Sequence, residues 1–199
     1  MTFWTSQWEL FAPNFKDGKA HLDLSPYGSQ QTLQLLPGPG FGDFSHPTTR
    51  LTLKLMAPHV PHNHVIDIGS GSGILSLAAA ALGAKSVYGY DIDPDAVLHA
   101  RQNANLNALP IQFEHKPPTQ TLPHTLILMN MISSEQESAW KAFFPSLRCP
   151  ARLFTSGVLD KEGYLLWAQQ NNWTLIQSIE EESWWAFEFV TSSTLLNIL

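Results

Sequence analysis

The chain of 199 residues has one cysteine, few charges and no long apolar run. A lone Cys149 cannot close an internal disulfide, which fits a reducing compartment and a cytoplasmic location. A partly buried structural thiol is its expected role. Lys and Arg number 11 against 17 Asp and Glu, for a formal net charge of −6. The clustered basic footprint of nucleic-acid binding is missing, so no direct nucleic-acid contact is expected, and the acidic balance suits a basic protein substrate better. No stretch has the length of a membrane span, and Met1-Thr2-Phe3-Trp4-Thr5 lacks the basic-then-apolar pattern of a secretion signal, so no membrane association is expected. His59, His62 and His64 match no common zinc spacing and have no cysteine to assist, so they read as loop histidines and no metal is expected. What the chain does have is apolar material: 44% of its residues are hydrophobic, enough for the core of one substantial domain.

The most informative stretch is Val65 to Ser76, VIDIGSGSGILS. Val65-Ile66-Asp67-Ile68 is long enough for a buried strand and too short for a helix. Gly69, Gly71 and Gly73 follow, separated only by Ser70 and Ser72, so the backbone can turn sharply and a ligand can approach closely. Ile74 to Leu82 is rich in helix formers and is closed by Gly83. Strand, glycine turn and helix form the layout of a nucleotide site at the carboxyl end of a parallel strand. The spacing is G-x-G-x-G, one residue shorter than the dinucleotide fingerprint. Asp91, about twenty residues past the loop and at the end of the next apolar run, is placed to meet a ribose diol. The shortened loop favours an adenosyl ligand without phosphates. This pattern resembles the class I methyltransferases, which bind S-adenosylmethionine; a structural glycine turn in another α/β protein is the alternative.

Further along, Asp93-Pro94-Asp95 predicts a helix start, with Asp93 as N-cap, and the helix should run to about Asn107. Ile92, beside Asp91, is a candidate apolar wall for adenine. Ile111 to His115 reads as a third strand, followed by an irregular Lys116 to Gln120 loop near the expected adenine. Thr125 to Ile132 reads as the fourth strand, with Asn130 at its carboxyl end facing the donor methyl group. A helix opening at a capping box, Ser134 to Glu137, should follow. Arg152 to Gly157, Trp173 to Ile176 and Trp184 to Val190 complete the strands, with a helix from Asp160 to Asn171 between the first two. Glu180-Glu181-Glu182 reads as a solvated loop, or alternatively an acidic lip. The α/β alternation predicts one seven-stranded doubly wound sheet.

Upstream, Pro37-Gly38-Pro39-Gly40-Phe41-Gly42 breaks regular structure. Pro47 suits a first helical turn, and Thr48 and Thr49 would then offer free backbone N–H groups and hydroxyls to an anion such as a methionine carboxylate; simple capping is the alternative. Residues 1 to 40 are aromatic and turn-rich. Asp17-Gly18 is a hairpin-turn signal, and His21 to Leu24 and Thr32 to Leu36 alternate like half-buried strands.

Together, PGPGFGDFSHPTTR and VIDIGSGSGILSLAAAALGAKSVYGYDIDPDAV resemble the PrmA family of ribosomal-protein methyltransferases, from about residue 34 to 190. The family segment is PGxAFGTGTHPTT, so Asp43-Phe44-Ser45 departs from its usual Thr-Gly-Thr. Asn130-Met131-Ile132 matches the family's Asn-Ile-Leu segment and is not the Asn-Pro-Pro-Tyr of amide- and base-methylating enzymes. The resemblance implies a class I methyltransferase domain over residues 41–199, behind a β-rich extension over residues 1–40. It implies S-adenosylmethionine bound by Thr48, Thr49, Asp67, Gly69, Ser70, Gly71, Gly73, Asp91, Ile92 and Asn130, with Asn130 also positioning the substrate. The implied activity is methylation of lysine or N-terminal amines of a ribosomal protein, the eleventh of the large subunit. About forty residues precede the HPTT segment, too few for the separate substrate-recruiting domain the family usually carries. Another protein or small-molecule amine, or a non-catalytic cofactor-binding module regulating a partner, are the competing readings.

Overall fold

The computed structural model describes residues 3–191. Its centre is a seven-stranded sheet formed by β3 (His64–Ile68), β4 (Ser86–Tyr90), β5 (Gln112–Glu114), β6 (Thr125–Asn130), β7 (Ala151–Val158), β8 (Trp173–Glu181) and β9 (Trp184–Thr191). The strands lie in the order β5-β4-β3-β6-β7-β9-β8. The first five run parallel, and β9 and β8 close the sheet antiparallel. This is the doubly wound sheet expected from the sequence. Its strand order reverses between β3 and β6, so their carboxyl ends open the crevice in which ligands bind in such sheets.

The helices cover both faces. α2 (Pro47–Met56), α3 (Ile74–Ala81) and α4 (Pro94–Leu106) lie on one face, and α5 (Ser133–Phe143) and α6 (Lys161–Gln170) on the other. Strand alternation sorts the side chains: Val65, Leu126 and Leu128 face α2 to α4, whereas Ile66, Ile68, Ile127 and Met129 face α5 and α6. All six residues of β6 are buried, as both-face coverage of a parallel strand demands. The caps of α4 follow the expectation, with Asp93 Oδ1 accepting from the Asp95 amide (2.9 Å) and Pro94 in the first turn.

Residues ahead of α2 join the core on the α2 to α4 face of the sheet. β1 (Ala20–Asp23) and β2 (Thr32–Leu35) pair antiparallel, and Ala20, Leu22, Leu33 and Leu35 point inward. Asp17-Gly18 does form a left-handed turn, at φ 52° and 75°, but it joins a single Lys16–Lys19 bridge and not β1 to β2. The chain also begins with a helix that the turn-rich reading did not include, α1 (Phe3–Phe11). This segment contains no glycine or proline, and one face is drawn into the core by Trp8, at 5% exposed.

Two further readings change. α5 has no capping box: Ile132 is its N-cap without a side-chain bond, and Gln136 turns inward. Glu180 and Glu181 belong to β8, and the turn is Glu182-Ser183, at φ 52° and 67°. The run of three carboxylates had disguised a strand end because β8 is an edge strand whose outer face is solvated.

Candidate functional site

The glycine loop links the carboxyl end of β3 to α3. Gly73 sits at φ 83° as the N-cap of α3, and Gly71 at φ 55°. A Cβ on Gly71 would stand 2.5 Å from the carbonyl oxygen of Phe41, so another chain segment already closes this side of the loop. Asp91, just past β4, holds the loop from the other side. Its Oδ2 accepts from the Gly71 amide (2.9 Å) and its Oδ1 from the Asp93 amide (3.0 Å). Each oxygen keeps a free lone pair for a further donor. Ile92, next to it, is 90% exposed, an apolar side chain held at the crevice with nothing packed on it.

Asp67 lies beneath the loop, 2% exposed, and accepts from Ser76 Oγ of α3 at 2.6 Å. Burial is the main force on its carboxyl, pushing the pKa from 3.8 up to about 6, with the charge of Asp91 adding in the same direction. A carboxyl raised in this way favours folding fully below its ordinary value, and loses that contribution as pH rises through about 6. The wild type should therefore lose about 3 kcal/mol relative to Asp67→Asn between about pH 4 and pH 7. Urea denaturation across that range measures this, and parallel profiles for the two proteins would show that Asp67 does not titrate abnormally.

Asn130 ends β6 beside the N-terminus of α2. Its Nδ2 donates to Thr49 Oγ1 at 3.3 Å, while its Oδ1 is buried without a partner. Thr48 and Thr49 are buried, at 2% and 0% exposed. Their amides are not free as the sequence suggested: Thr48 N donates to His46 Nδ1 (3.4 Å) and Thr49 N to the His46 carbonyl (3.2 Å). Thr48 Oγ1 also meets His46 Nδ1, at 2.9 Å. The histidine N-cap was not evident because histidine is rarely read as one. What this helix end presents is the Thr49 hydroxyl, shared with Asn130. His46 is held below its ordinary pKa by burial first and by Arg50 second, which suits an accepting Nδ1.

Ser70 Oγ, 5% exposed, is a second orphan, and it follows β3, the strand next to β6. An unbonded buried polar atom costs about 1–3 kcal/mol. Two of them at adjacent strand ends, flanked by Asp91 and an exposed Ile92, fit a ligand with several polar groups and one flat apolar part.

Three features of the site lay outside the sequence reading. Gln136 Nε2 donates to the Met131 carbonyl (2.7 Å) and the Ser156 carbonyl (2.8 Å), clamping the turn directly after Asn130. Its Oε1 accepts from Thr155 Oγ1 at 2.8 Å and from the Tyr164 hydroxyl. Arg50 pairs with Glu181 (2.5 Å) and Glu182 (3.3 Å) and donates to the Ser45 carbonyl, tying the β8–β9 turn to the segment before α2. The divergent Asp43-Phe44-Ser45 is thereby braced: Asp43 Oδ1 accepts from Ser45 N (2.8 Å) and Oγ (2.5 Å). Trp184 and Phe41 stand edge-on to His46, the N-cap of α2, with ring centroids at 5.1 and 5.6 Å.

A cavity of about 770 Å³ lies elsewhere, along His64, Ile66, Tyr88 and the Lys116 to Gln120 loop. It marks where the chain crosses from β5 to β6 without a helix, and none of the glycine loop lines it. Volume therefore does not identify the site; the convergence of polar groups does. Among the three clustered histidines, His59 lies 5.4 Å from the Phe154 ring and His64 bonds Ser86 Oγ at 2.7 Å.

Comparison with known proteins supplies the family. The family model described as ribosomal protein L11 methyltransferase (PrmA) matches residues 19–192. The chain is 35% identical over 165 residues to the ribosomal protein L11 methyltransferase of Hydrogenovibrio crunogenus, covering 81% of this chain and 56% of that protein. It is 31% identical over 182 residues to that of Geobacter sulfurreducens, covering 90% and 56%. The chain thus spans a little over half the length of these relatives. Among solved structures, a ribosomal protein L11 methylase from Lactobacillus delbrueckii subsp. bulgaricus superposes with a TM-score of 0.70 at 26% identity, over 92% of this chain and 91% of that one. A Thermus thermophilus 16S rRNA methyltransferase in complex with AdoMet and guanosine shares the fold, with a TM-score of 0.65 at 20% identity over 87% of this chain and 49% of its own. With the family model matching most of its length, the chain belongs to the PrmA family of ribosomal protein L11 methyltransferases.

Proposed function

We propose that the chain is an S-adenosylmethionine-dependent protein N-methyltransferase that acts on lysine or N-terminal amines of a ribosomal protein, the L11 named for its relatives being the first candidate. The observation that carries this reading is the orphaned Oδ1 of Asn130, buried at the end of β6 beside the glycine loop and Asp91. Residues 1–40 then serve as an extension bracing the catalytic domain that follows.

Bound S-adenosylmethionine supplies a methyl group already activated on a sulfonium centre. The residues present would hold it as follows. Asp91 accepts from the ribose hydroxyls, Ile92 covers one face of adenine, and Ser70, Thr49 and the glycine-loop backbone take the polar groups of the methionine part. Thr48 and Asp67 support from behind, the first through His46 and the second through Ser76. The protein's own task is alignment of a neutral amine with the methyl group, which lowers the barrier by fixing the attack geometry. Asn130 Oδ1 can accept one amine N–H and so direct the nitrogen lone pair. A free lysine amine has a pKa of about 10.4, so it must give up its proton to water or on entering a desolvated pocket.

Incubation of the protein with labelled S-adenosylmethionine and the ribosomal proteins of its own cell tests this directly. Label in one large-subunit protein is expected. Label only in other proteins or small amines refutes the substrate, and binding without transfer refutes catalysis.

A further inference from the structure

Residues Pro37 to Gly42 form a strap across the glycine loop, and a face of α4 grips it. The Gly40 amide donates to His99 Nδ1 at 3.2 Å, and His99 Nε2 meets the Leu36 carbonyl at 2.7 Å. One turn on, Asn103 Oδ1 accepts from the Leu36 amide (2.8 Å) while its Nδ2 donates to the Ser72 carbonyl (2.9 Å). The strap's other edge is bonded to the same serine: Ser72 N donates to the Phe41 carbonyl (2.8 Å) and Ser72 Oγ to the Gly42 carbonyl (2.5 Å). Ser72 is thus fixed through its amide, hydroxyl and carbonyl, all within a chain of contacts that begins at His99.

The two glycines of the strap make this packing possible. A Cβ on Gly40 would fall onto the Gly71 carbonyl carbon and 2.5 Å from Ser72 N, and one on Gly38 would lie 2.6 Å from the His99 ring. An amide can only donate and a carbonyl only accept, so His99 holds the strap as the neutral ring with hydrogen on Nε2. A second proton would set Nδ1–H against Gly40 N–H and break the grip.

We propose that His99 is a positioning residue for the cofactor: its neutral ring holds the strap, and the strap sets the shape of the glycine loop. This rests on the reading of S-adenosylmethionine as the cofactor. The elements packed on the ring are α1 through Trp8, at 5.9 Å between centroids, the strap, and α4 through Asn103. None brings a charged side chain to it; Asp95, one turn earlier on α4, is exposed and does not act on it. Burial holds His99 below its ordinary 6.5, only partly offset by the bond to Leu36. Cofactor affinity is therefore complete above about pH 6.5 and falls as His99 protonates below it.

The test is calorimetry with S-adenosylhomocysteine from about pH 8 to pH 5, on the wild type, His99→Asn and Gly38→Ala. Asparagine keeps an acceptor where Nδ1 stood and does not titrate. The ratio of wild-type to His99→Asn affinity should be within about threefold of unity at pH 8 and fall steadily as the pH is lowered to about 5. Using the ratio removes any share from His46, which titrates in both proteins. Gly38→Ala, whose Cβ pushes the strap off His99 while leaving the titrating ring in place, should bind about tenfold more weakly at pH 8. A ratio independent of pH, or a Gly38→Ala variant that binds like wild type, overturns the role of His99. Absence of wild-type binding at every pH overturns the cofactor reading instead.

Discussion

Asp91→Ala is expected to weaken binding of S-adenosylhomocysteine by about 100-fold, the loss of roughly 2.7 kcal/mol of charge-assisted hydrogen bonding. Two effects add. The first is removal of the acceptor offered to the ribose. The second is release of the Gly71 and Asp93 amides, which the two carboxylate oxygens now hold at 2.9 and 3.0 Å. They can be separated with an analogue lacking one ribose hydroxyl. Wild type should lose affinity for the analogue, Asp91→Ala should lose little more, and the difference between the two losses is the direct ribose contact. Asp91→Asn, which retains one acceptor, should fall between the two. Unchanged affinity in Asp91→Ala would remove this residue from the site.

Asn130→Ala should lower the single-turnover rate of methyl transfer by about 100-fold at saturating cofactor. Cofactor affinity should change by less than about fivefold, because the one bond Asn130 makes, to Thr49 Oγ1, is long at 3.3 Å and its removal disturbs little. The unpartnered Oδ1 is the group whose loss matters. Wild-type rates in the variant would rule out substrate positioning. An equal loss of rate and of cofactor affinity would make Asn130 a cofactor contact only.

Both residues were readable from order and spacing, and so was most of the sheet. The glycine loop, the placement of Asp91 and the run ending at Asn130 are local patterns, in which a strand's length and the residue after it determine where a side chain falls. The N-terminal helix was missed because its burial rests on one residue, Trp8, whose partner His99 is ninety-one positions away. The end of β8 was misjudged for a related reason. Three successive glutamates read as solvent until Arg50 is seen to reach Glu181 from α2. Gln136 lay unremarked inside the Ser134 to Glu137 capping-box reading, because Ser-x-x-Glu patterns have that local meaning, yet its amide is spent on two carbonyls and two hydroxyls brought together by β6, β7 and α6.

Residue order alone was thus enough for the fold and for the two strand ends at which Asp91 and Asn130 fall. These follow from short-range periodicity, glycine chemistry and the geometry of parallel strands. Packing alone decided how the crevice is held: His46 rather than a ligand on the α2 amides, the strap pinned by His99 and Asn103, and the turn after Asn130 clamped by Gln136. Each of these is a polar group satisfied by a partner that only the folded chain brings near. Burial makes such partners obligatory, but no local pattern names them.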